Sequence, residues 1–277
     1  MLRAGLGMLR VSGLAAALSV SAPGAWAAAP EPEDPWPSLA IDIFKGRPIV
    51  DGAGLVTIDM PYRAEDAAVV PVTLRTALPA GDTRHVKAVT LVIDQNPAPV
   101  AATFEIGGNS GVSTISTRVR VDSYTNVRAI AELNDGHLYM VKTFVKASGG
   151  CLAPAAKNAD EAKTTLGQMR FRQFAKQDGA PVSGAREAQI MVRHPNNSGL
   201  QMDQITRLYT PAFFVRELRV WQGDHLAFAM EGGISISEDP NIRFSYLPNG
   251  AASFRAEAVD TDGRVFKGEW PVEASAM

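Results

Sequence analysis

One stretch of the chain encodes two strands and the tight turn between them: Glu132–Ala147, with the sequence ELNDGHLYMVKTFVKA. Apolar and polar residues alternate on both sides of Asn134-Asp135-Gly136, and such alternation is typical of half-buried strands. The Asp-Gly pair supplies the positive φ angles that a tight hairpin turn needs. A second stretch of the same kind, AVDTDGRVFKGEWPVEA, lies at Ala258–Ala274. The two stretches predict antiparallel β-structure at the end of each half of the chain.

The same alternation recurs along most of the chain in short segments that are separated by Gly, Asn, Asp and Pro. Seven candidate strands lie before the middle of the chain: Leu55–Met60, Val69–Ala77, Val86–Asp94, Val100–Ile106, Val112–Val121, Asn126–Leu133 and His137–Lys146. Seven more follow it: Gln168–Phe174, Ala188–Arg193, Phe213–Gln222, His225–Met230, Asn241–Leu247, Ser253–Asp260 and Arg264–Trp270. This spacing predicts two antiparallel β-sandwiches. Short helices are predicted at Ser38–Phe44, with Ser38 as the N-cap, and at Asn158–Leu166.

Composition excludes several classes of function. The chain has 277 residues, of which 46% are hydrophobic, and its formal net charge is −2. A charge this close to zero gives no global attraction to nucleic acid or to anionic lipid. The single cysteine excludes an intramolecular disulfide and a zinc site built from cysteines. The four histidines, His85, His137, His194 and His225, have no ligand-type residue at metal-site spacing, so neither a metal nor a cofactor is predicted.

The first 27 residues have the pattern of a signal peptide. Arg3 and Arg10 precede an uncharged run, Val11–Val20, that is too short to cross a bilayer as a helix. The segment ends in Ala25-Trp26-Ala27, with small residues where signal peptidase requires them, which predicts cleavage before Ala28. We therefore expect a periplasmic protein of 250 residues in an oxidising compartment.

The pattern of strands breaks at Ser148–Pro154, a segment that contains Gly149, Gly150 and the lone Cys151. The predicted organisation is therefore a signal peptide at 1–27, a sandwich at 28–147, a cysteine-bearing arm and flexible, partly helical linker at 148–166, and a second sandwich at 167–277. The two glycines leave the backbone beside the sulfur without side chains, which predicts steric access to Cys151. A thiol in such a segment should keep a pKa near ~8.5.

Three interpretations of Cys151 remain open on these residues. The thiol carries a group covalently, or it fills a gap in a core as a small hydrophobic side chain, as free cysteines often do. A histidine from the other half of the chain could also activate it as a nucleophile. An unpaired thiol is exposed to oxidation in an exported protein, which favours the carrier interpretation.

The order of several motifs resembles the SoxY and SoxZ subunits of the periplasmic sulfur-oxidation carrier, fused in one chain, and most closely the quinoprotein dehydrogenase-associated SoxYZ-like carriers. The similar stretches in the first half are Val70–Val72, Val92–Phe104, Ser116–Val121 and Gly149–Cys151. Those in the second half are Arg193–Leu200, Ile234–Tyr246 and Asp260–Gly263. Together the similar regions span most of residues 36–274.

This resemblance implies two immunoglobulin-like sandwiches and a non-catalytic carrier, in which Cys151 holds a small sulfur-containing group and Gly149 and Gly150 form a swinging arm. The implied partners are periplasmic redox enzymes: a quinoprotein dehydrogenase, a c-type cytochrome or enzymes of the Sox type. The chain departs from SoxY after the cysteine, because Leu152-Ala153-Pro154 continues into the second half and tethers the arm at both ends. The alternative function is a binding or assembly module for a quinoprotein dehydrogenase that carries no covalent cargo.

Overall fold

The computed structural model describes residues 34–154, 164–174, 184–203 and 206–273. The predicted signal peptide and the larger part of the predicted helix at Asn158–Leu166 lie outside these residues. Below, the first half means residues 35–154 and the second half means residues 164–273. Contacts group the chain from Pro35 onward into one compact unit.

The described residues include helix α1 and fifteen strands. The first half contains α1 (Trp36–Phe44), β1 (Ile49–Asp51), β2 (Val56–Asp59), β3 (Val70–Thr76), β4 (Val86–Ile93), β5 (Val100–Ile106), β6 (Thr114–Val119), β7 (Thr125–Leu133) and β8 (Leu138–Val145). The second half contains β9 (Met169–Phe174), β10 (Arg186–Val192), β11 (Val215–Gln222), β12 (His225–Gly232), β13 (Asn241–Tyr246), β14 (Ser253–Asp260) and β15 (Val265–Pro271). All fourteen predicted strands are present.

Strands from the two halves pair directly with one another. The nine-stranded sheet has the order β1-β8-β7-β4-β5-β12-β11-β14-β15, and the six-stranded sheet has the order β2-β3-β6-β13-β10-β9. The halves meet where β5 pairs with β12 in the larger sheet and β6 pairs with β13 in the smaller one, both antiparallel. The prediction of an all-β chain of immunoglobulin-like sandwiches is confirmed, and both sheets continue across the two halves.

The core lies between the two sheets and draws on both halves. In β3 the side chains alternate between buried and outward positions, as the sequence pattern requires. One aromatic contact crosses the boundary between the halves, because the ring centroids of Phe104 and Phe228 are 6.4 Å apart. Within the second half, Phe228 also packs on Phe244, with ring centroids 5.0 Å apart. Each buried aromatic ring contributes about 1.5–3 kcal/mol to the free energy of folding through its removal from water. The halves are therefore stabilised by a shared core as well as by shared sheets.

The N-terminal helix α1 packs on the outer face of the larger sheet. Phe44 joins Val92, Ile130 and Leu138 in a small buried cluster. The helix begins at Trp36 with Pro35 at the N-cap and no capping side chain, so the prediction of Ser38 as the N-cap was wrong. Pro is tolerated at this end because the first amides of a helix have no partner within it.

The predicted hairpin of Glu132–Ala147 is confirmed. Strands β7 and β8 pair in antiparallel register, and Gly136 has φ +87° in the turn between them. The short strand β1 was not predicted, because its three residues are too few to show alternation. It pairs in parallel with β8. The predicted domain boundaries at 147/148 and 166/167 stay predictions.

Candidate functional site

Cys151 lies in a compact turn, Gly149–Ala153, which we call the cysteine turn. The amides of Leu152 and Ala153 both donate to the Gly149 carbonyl oxygen, at 3.1 Å each. Gly149 has φ +77°, a left-handed conformation that glycine adopts without strain. The turn therefore has a defined shape in this conformation, and the movement of Gly149 and Gly150 as an arm stays a prediction.

Gly150 is required by close packing. A Cβ atom on this residue would lie 2.1 Å from the carbonyl oxygen of Ala67 and 2.7 Å from that of Val121. The amide of Gly150 donates to the Val121 carbonyl oxygen at 3.1 Å. The second glycine thus brings the turn against the backbone of the first half. In this conformation Gly150 therefore allows close packing and does not expose the sulfur to solvent, and its predicted role in an arm stays a prediction.

The first half holds the cysteine turn through backbone and side-chain groups. The Asp122 carbonyl oxygen accepts from the amide of Gly149 at 2.8 Å, and its Oδ1 accepts from the amide of Cys151 at 3.2 Å. Arg120 Nη1 donates to the Gly150 carbonyl oxygen at 3.2 Å. Three consecutive residues of the turn are therefore bound to the segment that follows β6.

The second half closes over the turn from the other side. Ser198 Oγ donates to the Cys151 carbonyl oxygen at 2.6 Å, and Gln201 Nε2 donates to the Ala153 carbonyl oxygen at 2.8 Å. The two side chains also fix each other, because the Ser198 amide donates to Gln201 Oε1 at 3.1 Å. Ser198 lies within the Arg193–Leu200 motif, and Gln201 directly follows it. The cysteine turn is thus clamped between the two halves.

The thiol of Cys151 is buried, with 0% of the residue exposed. Burial raises the pKa of this thiol to about 11, the Asp122 carboxylate adds to the rise, and the Arg120 guanidinium opposes it. The sequence predicted a pKa near ~8.5 on an accessible segment, and both expectations are wrong for this conformation. The reason is that hydrogen bonds to the backbone of the turn hold Cys151 in the interior. The sequence shows no apolar strand or helix at Cys151 that would have predicted this burial.

Arg120 is an unusual neighbour for a buried thiol. The residue is 1% exposed, and its Nη1 and Nη2 donate to the carbonyl oxygens of Gly150 and Asn196, the latter at 3.4 Å. Its Nε has no hydrogen-bond partner among the described residues. Burial lowers the pKa of Arg120, and charge interactions with Cys151 and two carboxylates oppose that effect. The cation therefore bridges the cysteine turn and the second half through carbonyl oxygens.

His194 is the one buried histidine of the four. Its Nδ1 accepts from the Asn196 amide at 3.1 Å, and its Nε2 lies 3.8 Å from Asp260 Oδ2. Both side chains are fully buried, and burial lowers the pKa of His194. The ionisable groups that shift the Cys151 pKa are Asp122 and Arg120, and no histidine is among them. The structure thus gives no support to a thiol activated by histidine.

Among the described residues, no group of three or more His, Cys, Asp and Glu side chains could hold a metal ion. No helix in that part of the chain is long and apolar enough to cross a membrane.

Each half of the chain matches the model of a known protein family. The model of the sulfur oxidation protein SoxY matches residues 40–151, and the model of the sulphur oxidation protein SoxZ matches residues 174–271. The chain contains a SoxY domain followed by a SoxZ domain. The SoxY match ends on Cys151, so the cysteine turn lies where the SoxY domain passes into the SoxZ domain. The clamp on the turn is therefore built from both domains.

Several solved structures are similar to part of this chain. The sulfur carrier protein SoxY from Chlorobium limicola f thiosulfatophilum is 23% identical over 40% of this chain and 94% of that chain, with a TM-score of 0.33. A superoxide reductase (neelaredoxin) from Ignicoccus hospitalis is 11% identical over 33% of this chain and 79% of that chain, with a TM-score of 0.30. No curated protein sequence matches the chain.

The sequence found the motifs of the site and missed their contacts. It singled out Gly149, Gly150 and Cys151, and separately the Arg193–Leu200 motif, which the structure brings against the turn. It missed Arg120, Asp122 and Gln201, whose contacts depend on tertiary packing. The sequence carried no signal for Arg120, because the alternation of β6 places it at an outward position like Arg118, whereas the structure buries it.

Proposed function

We propose that the chain is a periplasmic, non-catalytic carrier of the sulfur-oxidation type, in which Cys151 holds a small sulfur-containing group and presents it to partner redox enzymes. The observation that supports this most directly is the end of the SoxY match on Cys151, inside a turn that both domains contact. The periplasmic location rests on the predicted signal peptide.

The conformation described here is the closed, unreactive state of this carrier. A thiol with a pKa of about 11 is ionised to about 0.01% at pH 7, and the thiolate is the form that reacts. Undocking of the cysteine turn returns the thiol to water and restores a pKa near ~8.5, with a few per cent of thiolate. Loading and unloading therefore require the turn to leave its clamp.

The covalent step is an oxidation. Joining the Cys151 thiol to the thiol of a sulfur compound forms one S–S bond and releases two protons and two electrons. Water takes the protons, and a partner redox enzyme such as a c-type cytochrome must accept the electrons. The chain itself supplies the attachment point and the clamp, and we propose no catalytic group for it.

Intact mass of the purified protein, measured before and after treatment with a thiol reductant, tests this proposal. A mass excess that the reductant removes, and that is absent from the Cys151→Ala variant, is the expected result. Complete absence of an adduct from protein isolated during growth on reduced sulfur compounds would contradict a covalent carrier. Alanine is the better replacement, because serine would place an unpaired hydroxyl in a buried site.

The burial of Cys151 favours a second candidate function, an assembly module that binds a quinoprotein dehydrogenase without covalent cargo. In that case Cys151 is a packing residue, and the Cys151→Ala variant should retain full activity in vivo. A covalent carrier should lose that activity while keeping its fold. The growth phenotype of a stable Cys151→Ala variant therefore separates the two functions.

A further inference from the structure

The outer face of the six-stranded sheet is rich in arginine. The outward positions of its strands carry five arginines, which we call the arginine face: Arg75, Arg118, Arg170, Arg172 and Arg243. No lysine points outward from the described strands of this sheet. The five arginines belong to four of the six strands, so the positive charge extends across the sheet.

The carboxylates on this face are too few to neutralise the positive charge of the arginines. Two lie at outward positions of the strands, Asp59 and Glu187. Glu187 forms an ion pair with Arg243, and Asp59 Oδ2 lies 4.0 Å from Arg75 Nη1. Three arginines remain: Arg118, Arg170 and Arg172 form no ion pair with any described residue. Arg170 and Arg172 are exposed, so their charges are available to a partner, whereas Arg118 is half-buried and uses Nη2 in a hydrogen bond to a backbone carbonyl oxygen.

The opposite outer face of the protein does balance its charges. On β11, Glu217 Oε2 accepts from Arg219 Nη2 at 2.9 Å. On the neighbouring strands, Glu257 Oε2 accepts from Lys267 Nζ at 2.9 Å. Since the whole chain has a net charge of −2, the excess of arginine on the six-stranded sheet is local.

The side chains between the arginines suit a protein interface. They are short or neutral, and Thr73, Ser116, Gln189, Met191 and Asn241 are among them. Arginine and methionine are enriched at protein interfaces and lysine is depleted. Arginine also presents a planar fork that binds carboxylates in a bidentate manner. Strands hold these groups in a fixed array, which lowers the entropy lost on binding.

The arginine face adjoins the cysteine turn. Arg118 Nη2 donates to the Asp239 carbonyl oxygen at 3.1 Å, and Asp239 Oδ1 accepts from the His194 amide at 3.1 Å. The segment that begins at His194 continues to Ser198, which contacts Cys151. A protein that covers this face as far as Arg118 would therefore also approach the clamp.

We infer that the arginine face binds an acidic surface of a partner protein. A membrane is the less suitable partner, because anchoring at a bilayer uses apolar and aromatic side chains that project from the surface. On this face Phe174 is half-buried, with the guanidinium of Arg243 4.1 Å from its ring centroid. The inference does not depend on the chemistry of Cys151, so a Cys151→Ala variant should bind equally well.

A labelled polyglutamate peptide of roughly 20 residues is the probe, with fluorescence anisotropy at about 20 mM salt as the measurement. The double variant Arg170→Glu/Arg172→Glu should bind the peptide at least about tenfold more weakly than the wild type. The matched control, Arg219→Glu/Arg255→Glu, changes the net charge equally on the opposite sheet and should alter affinity by less than about twofold. Raising the salt to about 500 mM should abolish binding by the wild type.

Three outcomes would overturn the inference: no binding of the peptide, equal loss in the control variant, or binding restricted to phosphatidylglycerol vesicles. Far-ultraviolet circular dichroism establishes that each variant is folded. If the glutamate variants do not fold, Arg170→Gln/Arg172→Gln replaces them and should still weaken binding at least about threefold, because two cations are lost.

Discussion

Two arginines of the first half are almost fully buried, and their surroundings differ. Arg128, on β7, meets the carboxylate of Asp94 with three hydrogen bonds of 2.7–2.9 Å, and the ring centroid of Trp36 lies 4.2 Å from its guanidinium. Its charge is neutralised, and its contacts tie helix α1 to the larger sheet. This arginine belongs to a permanent part of the fold.

Arg120 is buried to the same degree, and no carboxylate among the described residues lies at ion-pair distance from it. Its partners are the carbonyl oxygens of Gly150 and Asn196, at the long distances of 3.2 and 3.4 Å. A buried charge without a counterion is costly, because the protein interior replaces its hydration poorly. The comparison teaches that the region of Arg120 is built less tightly than that of Arg128, as the proposed opening of the clamp requires.

Breaking the Arg128 pair should have the largest effect on stability. Asp94→Asn removes the carboxylate that forms three hydrogen bonds with a buried guanidinium, and we expect a loss of about 3–5 kcal/mol in the free energy of unfolding. Urea denaturation measures this loss. The double variant Asp94→Asn/Arg128→Met should recover part of it, because the uncompensated charge is then gone; no recovery would mean that the pair is not the cause.

Replacing Arg120 should change the clamp more than the fold. Arg120→Met removes both hydrogen bonds to carbonyl oxygens and the cost of a buried charge, so the free energy of unfolding should change by about 1 kcal/mol or less. The free energy of docking of the cysteine turn should become less favourable by about 2 kcal/mol, which corresponds to roughly 30-fold faster labelling of Cys151 by a thiol reagent. Labelling at the wild-type rate would show that Arg120 does not hold the turn.

Removal of the Ser198 hydroxyl isolates one contact of the clamp. Ser198→Ala leaves the Cys151 carbonyl oxygen without this donor and should weaken docking by about 1 kcal/mol, which is about fivefold faster thiol labelling. The matched control is Ser253→Ala, on an exposed contact with Glu269, which should leave the labelling rate unchanged. Equal rates in the two variants would exclude Ser198 from the clamp.

The smallest expected effect is a pH dependence of the stability that arises from His194. This residue is near Arg120, because both form hydrogen bonds with the backbone of Asn196. Burial lowers the pKa of His194 below its ordinary 6.5, with Asp260 opposing this shift and Arg264 adding to it. The unfolded chain therefore takes up a proton below pH 6.5 before the folded chain does, and stability falls as the pH decreases from 6.5. Urea midpoints at pH 7.5 and pH 5.5 should differ less in His194→Gln than in the wild type. An unchanged difference would assign the acid sensitivity to other groups.

Local patterns were sufficient to predict the strands. Alternation and Asp-Gly turns located all fourteen longer strands, because each depends on residues that are neighbours in sequence. The three-residue β1 carries too little pattern, and its position depends on Leu138 and Tyr139 of β8, with which it pairs. The start of α1 was displaced by two residues because Ser38 looked like a cap.

The candidate site was predictable in its residues and not in its environment. Gly149, Gly150 and Cys151 stand out in sequence, whereas the burial of the thiol depends on Ser198 and Gln201, more than 45 residues away. Those contacts exist because the two sheets run through both halves, and single-strand patterns contain no information on which strands become neighbours. The same limitation hid the arginine face, whose members come from four strands.

Pairing of β5 with β12 and of β6 with β13 covers the strand edges at which two separate sandwiches would be open to other chains. Since one polypeptide carries both partners, this association is intramolecular and does not weaken on dilution. Every thiol consequently keeps its own Ser198 and Gln201 at a fixed one-to-one ratio, and subunit exchange cannot leave a cysteine without its cover.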